Sequence, residues 1–408
     1  MIDHRKLGRE LELFDSDPLA GAGLPFWLPA GAAARHAVEE YLRDLERRNG
    51  YQHVVSPPLG RPELFRLSRH LEHFADDMFP AVAFDDDDQL MLRPSLCPHH
   101  ALVYRARGRS HRELPLRIAE IGQMFRAERS GVLGGLSRVR SIWLNDAHVF
   151  CAVDQVGDEV AAMLALIARA HAALGLPKAS FRLSLRGDSG KYVGADDAWD
   201  LAERLLREAL DDAGVPYEEA PGEAAFYGPK IDIQLADPAG REFSISTIQI
   251  DFHQPAQFEL SYHDPFGARA VPVMVHRSLV GSMERLFAML LEAHEGVFPV
   301  WYSPVQLSVL PVGEAQAGAA SAVVQAAIEA GLRAEAVHDG SIGARIRGAL
   351  QRKIPYVGVV GPREAPAGLV ALRLRDGRQL PAMPYGEMLD LIEAVVAEKS
   401  LELVPAAE

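Results

Sequence analysis

The sequence predicts an α+β fold in two parts, and three features carry that prediction. Through the first three hundred residues, strand-like runs are joined by short hairpin-like loops and not by regular strand–helix–strand units, which fits an antiparallel sheet with helices packed on it. Prolines 299 and 304 then bracket Trp301-Tyr302 and mark a boundary over Phe298–Pro304. Beyond it strand and helix alternate, the rhythm of a small α/β domain. The expected division is residues 1–300 and 304–408.

The length of 408 residues supports two or three cores, and 48% apolar with 24% charged residues is the composition of an ordinary globular chain. Only Cys97 and Cys151 are present, so a disulfide framework is not expected and the cytoplasm is the default compartment. The N-terminal MIDHRKLGRELELF has no apolar stretch of a leader, and no run reaches the length of a membrane span. A net charge of −14 argues against indiscriminate nucleic-acid binding. Yet nine arginines fall within Arg105–Arg140 against three glutamates, Glu113, Glu120 and Glu128, so a local cationic surface for a phosphate ester or nucleotide is expected there.

In order along the chain, residues 3–13 have a short amphipathic helical pattern and Gly21–Gly31 reads as loop. Val38, Tyr41, Leu42 and Leu45 place a helix over Ala32–Asn49, stopped by Gly50. A strand at Gln52–Val55 ends at Pro57-Pro58. Ala81–Phe84 and Gln89–Leu92 flank Asp85–Asp88, expected to be a solvated hairpin turn and not a metal site. A helix starts near Pro98, and strands are expected at Leu116–Ile121, Val139–Leu144 and Ala147–Cys151, with a glycine-rich turn over Ser130–Gly135. Asp154 stands where it would cap the helix carrying Val156, Val160, Met163, Leu164 and Ile167. Strand Ser180–Leu185, helix Ala198–Ala213 and strands near Lys230–Gln234, Glu242–Asp251 and Gln257–Tyr262 follow. The second part reads as strand Val305–Leu310, helix Ala315–Ala330, strand Ala334–Val337, helix Ile342–Arg352, strand Tyr356–Val360, a hairpin near Asp376-Gly377 and a helix from Glu387.

Chemistry concentrates in a few stretches. Val271–Leu291 runs from a buried strand through a small-residue turn into a helix whose apolar stripe is Met283, Leu286, Phe287 and Leu290. Arg285 points off that stripe, and His276 marks the strand end. No GxxxxGK[ST] loop and no GxGxxG after a strand is present, so a nucleotide would be held by arginines. Phe125-Arg126-Ala127-Glu128 precedes the glycine-rich turn, and strand alternation would put Arg138 and Arg140 on one face of the returning strand, as a guanidinium platform suited to phosphate oxygens.

These stretches resemble the signature motifs of class II aminoacyl-tRNA synthetases. FRAE with its loop is similar to the second motif, GSMERLFAML to the third, and the Pro57 strand end to the first, which in that family forms the dimer interface. The similarity is greatest to the threonyl-tRNA synthetases, through HRKLGRELELF, RPSLCPHH at 93–100, NDAHVFC at 145–151, AFYGPKIDI at 225–233, STIQIDF at 246–252 and MVHRSLVGSMER at 274–285, in that order. The resemblance covers essentially the whole chain. It implies a class II antiparallel sheet followed by an anticodon-binding-like domain, a cytoplasmic homodimer, and ATP, L-threonine and tRNA(Thr) as substrates.

Residue by residue, the resemblance implies a zinc ion on Cys97, His148 and His276, with an open position for threonine's amino and hydroxyl groups. Asp146 would accept a hydrogen bond from the hydroxyl, and Tyr227, Lys230 and Gln249 would complete the amino-acid pocket. Arg126 would hold the α-phosphate, Arg285 the pyrophosphate end, Glu128 the adenine amino group and Arg138 a further phosphate, with Mg²⁺ accompanying ATP. His70, in SRHLEHF, corresponds to a histidine near the tRNA terminal hydroxyl, and Arg375 to a residue that helps read the anticodon.

The chain departs from the family pattern at several places. Cys-Pro-His-His replaces Cys-Pro-Gly-His, Gly134 replaces a histidine and Leu144 a glutamine. Ser244 falls where tryptophan-glutamine is usual at 243–244, Gly340 where arginine is common and Pro366 where a glutamate contacts the anticodon. The family's N-terminal editing part has no counterpart in these residues, so internal correction of serine errors is not expected. Beside a threonine–tRNA ligase without editing, two other readings stand: a paralogue that hands threonine or a similar hydroxy amino acid to a non-tRNA acceptor, and an inactive scaffold that binds RNA or partner proteins.

Overall fold

The computed structural model describes residues 2–85, 88–236, 240 and 242–405. Asp86 and Asp87, in the expected Asp85–Asp88 turn, and the last three residues lie outside them. Helices α1 (His4–Glu10) and α2 (Pro29–Arg48) come first, then strand β1 (Gln52–His53), helix α3 (Cys97–Arg105) and the long strands β2 (Leu116–Phe125) and β3 (Ser141–Cys151). Helix α4 (Val156–Leu174), strand β4 (Ser180–Leu185), helix α5 (Asp196–Asp212) and strands β5 (Glu218–Pro221), β6 (Lys230–Ala236), β7 (Glu242–Asp251) and β8 (Val273–Ser278) lead into helix α6 (Met283–Ala293).

Among the described residues, these strands form one eight-stranded sheet in the order β5-β4-β6-β7-β8-β3-β2-β1. Its six central strands pair antiparallel, and a short strand at each edge, β5 on β4 and β1 on β2, adds parallel. The expected antiparallel sheet is thus mixed at its edges. One face is covered by α2, α4 and α5 through Val38, Leu42, Val160, Met163, Ile167 and Leu206, all buried against Val149, Ile248 and Val275 of the strands. The other face is left for the site.

Several expectations are corrected. Val139–Leu144 and Ala147–Cys151 are one continuous strand, β3, because each of its residues from Ser141 to Phe150 has a partner on β2. Gln257–Tyr262 is not a strand: residues His253–Gln257 form a helical turn started by Asp251, whose Oδ1 accepts the amides of His253 and Gln254. Asp154 does not cap α4. It sits inside a 3-10 turn whose start is capped by Gln155 Oε1 accepting from Ala152 N–H. Helix α4 ends at Gly175, whose φ of +67° is the left-handed conformation that a helix stop favours.

In the second part, β9 (Leu307–Pro311), β10 (Ala334–Ala336), β11 (Tyr356–Val360), β12 (Leu369–Leu374) and β13 (Met383–Pro384) form a sheet of order β10-β9-β11-β12-β13. Helices Ala317–Glu329 and Tyr385–Ala397 bury Val323, Ala327, Ile392 and Val395 against it. The Pro299–Pro304 stretch is not a solvated linker. Trp301 and Tyr302 are buried, and their side chains donate to the carbonyls of Ala173 and Leu174 at the end of α4, each at 3.0 Å.

Candidate functional site

Antiparallel register builds the floor of the site. Lys230 pairs with Gln249, Gln249 with His276 and His276 with His148, so residues of β6, β7, β8 and β3 stand in one row across the sheet. Directly opposed residues share a face, so their side chains emerge together. Asp232, Thr247 and Ser278 form the next row, and Asp146 shares His148's face two residues earlier. All eight line a cleft of ≈ 420 Å³, walled by Ser95, Cys97 and Tyr227 at one end and by Arg126 and Arg285 at the other.

At the first end, one donor atom each of Cys97, His148 and His276 lies within 4.8 Å of the other two. The surrounding hydrogen bonds assign the ring tautomers. With His100 neutral, Glu120 Oε2 accepts from its Nε2 at 3.1 Å and its Nδ1 accepts from His148 Nδ1 at 2.7 Å. Asp251 Oδ2 accepts from His276 Nε2 at 3.0 Å. Both remaining nitrogens, His148 Nε2 and His276 Nδ1, are therefore bare, and they face each other across 3.0 Å. Two lone pairs at that distance repel. A cation between them removes the conflict, since a tetrahedral zinc site with Zn–N bonds of about 2.0–2.1 Å has an N···N edge of roughly 3.3 Å. Burial pushes the Cys97 thiol up to about 12, so a thiolate there requires a neighbouring positive charge. One sulfur and two imidazole nitrogens, each imidazole steered by its own partner, thus fit a zinc ion with one position left open.

Asp146 lies next to this group, its Oδ2 3.8 Å from His148 Nε2, and burial pushes its carboxyl up to about 6 against the opposing charge of Arg277. Lys230 Nζ bonds Asp232 Oδ2 at 2.6 Å, which holds the ammonium toward the cleft floor. His70 does not reach the cleft wall. Its ring is buried behind Ser95, whose Oγ lies 2.9 Å from Nε2, with Ser68 Oγ 2.7 Å from Nδ1. Burial and the Arg126 charge lower it to about 3, so it is a neutral imidazole.

At the far end, three guanidiniums converge. Burial lowers the pKa of Arg285, and the like charges of Arg126 and Arg138 add to this. Arg285 is anchored through Nε to Ser137 O at 3.2 Å, and Arg138 pairs with the buried Glu128 at 2.9 Å. Arg126 is exposed, and its side chain makes no hydrogen bond or ion pair among the described residues. The expected Arg138/Arg140 platform does not form. The returning strand begins only at Ser141, and the Arg140 guanidinium is spent on the carbonyls of Glu128 and Ala22. Arg375 lies outside the cleft, half-buried, its Nη1 2.5 Å from the carbonyl of Phe298.

Sequence reasoning passed over His100, Asp251, Asp232 and Glu120. The first three sit inside quoted motifs, and for Asp232 the signal was available as strand alternation from Lys230. For His100 and Glu120 no signal existed, because their roles depend on a chain of contacts between distant elements.

The profile of the tRNA synthetase class II core domain (G, H, P, S and T) matches residues 81–294, and that of an anticodon binding domain matches residues 306–395. The threonine–tRNA ligase of Geobacillus kaustophilus is 44% identical over 405 residues, covering 98% of this chain and 62% of that protein. The one from Halalkalibacterium halodurans is 46% identical over 391 residues, with 95% and 60% covered. The chain thus spans about six tenths of these curated relatives. Among solved structures, the RNA binding domain of threonyl-tRNA synthetase from Cryptosporidium parvum Iowa II superposes with a TM-score of 0.92 at 32% identity, over 98% of this chain and 99% of that one.

Proposed function

This chain belongs to the class II tRNA synthetases, and from that we propose that it activates L-threonine with ATP as threonyl-adenylate and transfers it to tRNA(Thr). One observation carries the reading: a single cleft has the Cys97–His148–His276 donor set at one end and the exposed Arg126 with Arg285 at the other. That arrangement suits a substrate with an amino alcohol at one end and a polyphosphate at the other.

Zinc held by Cys97, His148 and His276 would supply an open coordination position for the amino and hydroxyl groups of threonine. Asp146 accepts a hydrogen bond from that hydroxyl, and Tyr227, Lys230 and Gln249 close the pocket around the amino acid. The threonine carboxylate oxygen attacks the α-phosphorus, the new O–P bond forms as the bond to pyrophosphate breaks, and the charge is shared with Arg126. Arg285 holds the departing pyrophosphate, Glu128 the adenine amino group and Arg138 a further phosphate, while Mg²⁺ enters with ATP. Acceleration is by positioning and charge neutralisation, with no protein nucleophile. His70, tied to Ser95, stands behind the site where the tRNA terminal hydroxyl would attack the adenylate. A homodimer through the Pro57 region, a division into units 1–300 and 304–408 and a cytoplasmic setting belong to the same proposal; no described helix is long and apolar enough to cross a membrane.

A second reading, transfer to a non-tRNA acceptor, has one observation in its favour: Arg375, the proposed anticodon contact, is engaged by the Phe298 carbonyl. Threonine-dependent exchange of pyrophosphate into ATP tests the first half of the proposal, and charging of purified tRNA, with serine as competitor, tests the second. Exchange without charging selects the second reading, and no exchange leaves an inactive scaffold.

A further inference from the structure

We propose that His4, in the first helix of the chain, is a positioning residue for ATP: it fixes the Ser130–Arg138 loop relative to Arg285. The inference rests on the reading above that this loop and Arg285 bind the nucleotide.

His4 is buried, and both ring nitrogens are engaged by different elements. Nδ1 lies 2.7 Å from Glu292 Oε1 on α6, and Nε2 lies 3.2 Å from the backbone N of Leu136 in the loop. An N–H from Leu136 requires a bare Nε2, so the proton sits on Nδ1 and is donated to Glu292. The same carboxylate oxygen also accepts the His4 backbone N–H at 3.3 Å. With both His4 nitrogens occupied and the Asp3 carboxylate taken by Arg5, the neighbouring Asp3, His4 and Glu292 leave no free donor set for a cation, and His4 and Glu292 form a hydrogen-bonded tie.

The geometry beyond His4 gives the tie its purpose. Glu292 follows Arg285 by seven residues, two turns along the same face of α6. Arg285 Nε donates to the carbonyl of Ser137, the residue after Leu136. Consecutive loop residues are therefore fastened to one helix face twice, at Ser137 directly through Arg285 and at Leu136 through His4 and Glu292. Gly135 permits the approach: it has a φ of +58°, and a Cβ there would stand 2.5 Å from His4 Nε2 and 2.6 Å from Arg5 Cγ. Arg138, next along the loop, reaches back to Glu128. Release of Leu136 would thus loosen Arg138, Glu128 and the carbonyl that orients Arg285.

Three substitutions separate the two bonds. His4→Asn keeps a short amide able to donate to Glu292 but does not reach Leu136. His4→Gln places an amide oxygen near the position of Nε2 and can accept from Leu136. His4→Phe keeps the ring and loses both bonds. In threonine-dependent pyrophosphate exchange we expect His4→Asn to raise KM for ATP about fivefold, the effect of one lost neutral hydrogen bond, and His4→Phe, which loses both bonds, by at least as much, with KM for threonine unchanged and His4→Gln close to the parent. Hydrogen–deuterium exchange of the peptide spanning residues 130–140 should quicken in His4→Asn and not in His4→Gln, a readout that needs no activity. Equal ATP KM and equal amide protection in the Asn and Gln variants would overturn the proposal, as would a parallel rise in both KM values with a lowered Tm. An inactive parent protein whose 130–140 amides still respond to His4→Asn would leave the tie standing and remove the ATP reading instead.

Discussion

His100 donates to Glu120 through Nε2 and accepts from His148 through Nδ1, so one carboxylate dictates, across an intervening ring, which nitrogen His148 turns toward Cys97 and His276. Without Glu120 and His100, His148 would instead carry its proton on Nε2 and donate it to the bare Nδ1 of His276, 3.0 Å away.

That relationship would make the affinity of the proposed zinc site sensitive to a residue that never touches the ion. His100→Phe should weaken zinc binding by about 10–100-fold, measured by competition with a chromophoric chelator, while His99→Phe, whose Nε2 faces only the carbonyl of Leu59, should leave it near the parent value. Equal affinities for all three proteins would sink the tautomer argument.

Discrimination by the proposed pocket should be asymmetric. Serine, which keeps the hydroxyl and lacks one methyl, should be activated only about 10–200-fold less well than threonine, whereas valine should be rejected by about 10⁴-fold or more because Asp146 is left buried without its partner. Asp146→Asn should narrow the threonine-to-valine gap in pyrophosphate exchange. An unchanged gap would take Asp146 out of the specificity account.

Among the described residues Arg126 has no hydrogen-bond or ion-pair partner to lose, so its removal reads out ligand binding with little structural cost. Arg126→Ala should lower exchange activity by about 10²–10³-fold and leave Tm unaltered, and Arg126→Lys should recover only part because a lysine cannot present the planar fork. Calorimetric threonine binding should be the same in all three. A variant with full exchange activity would show that the phosphate is held elsewhere.

Glu120 gives the pH dependence. Burial alone would raise its pKa, but bonds from His100 and Ser56 and the charge of the buried Arg93 outweigh it and hold the carboxyl at about 2, below its ordinary 4.5. A depressed acid of this kind contributes stability that is fully present above pH 4.5 and is lost as pH falls toward 2. Tm of the parent should therefore drop across that window more steeply than Tm of Glu120→Gln. At pH 7 the same substitution should cost about 3–5 kcal/mol by denaturant unfolding, since it leaves Arg93 buried without its countercharge.

Most of the secondary structure was legible because burial imposes a period on it: Ser180–Leu185, Glu242–Asp251 and Tyr356–Val360 were bounded by the sequence as the structure has them. Failures came where a local signal competed with a tertiary one. Asp154 looked like a cap, yet the side chain of Gln155 takes the backbone group. Arg138 and Arg140 looked like alternating strand residues, yet the glycine-rich loop delays the strand to Ser141. Of the candidate site, the residues could be named by resemblance, but their convergence could not be derived. Cys97, His148 and His276 are separated by loops and helices whose lengths say nothing of register, and the tautomers that make the donor set coherent depend on Asp251, His100 and Glu120 acting together.

The row Lys230–Gln249–His276–His148 works as a ruler laid across the sheet, with its graduations fixed at the interstrand spacing of about 4.8 Å. A ruler of this kind tolerates any change in the connections between strands and none within them. One residue inserted into β3 between the Glu120–Asp146 pair and the Ile118–His148 pair would turn His148 to the helix-covered face and bring its neighbour into the cleft. Gains and losses of sequence should consequently collect in the loops at the strand ends, and the interiors of β3, β6, β7 and β8 should keep a constant count of residues wherever this cleft retains its use.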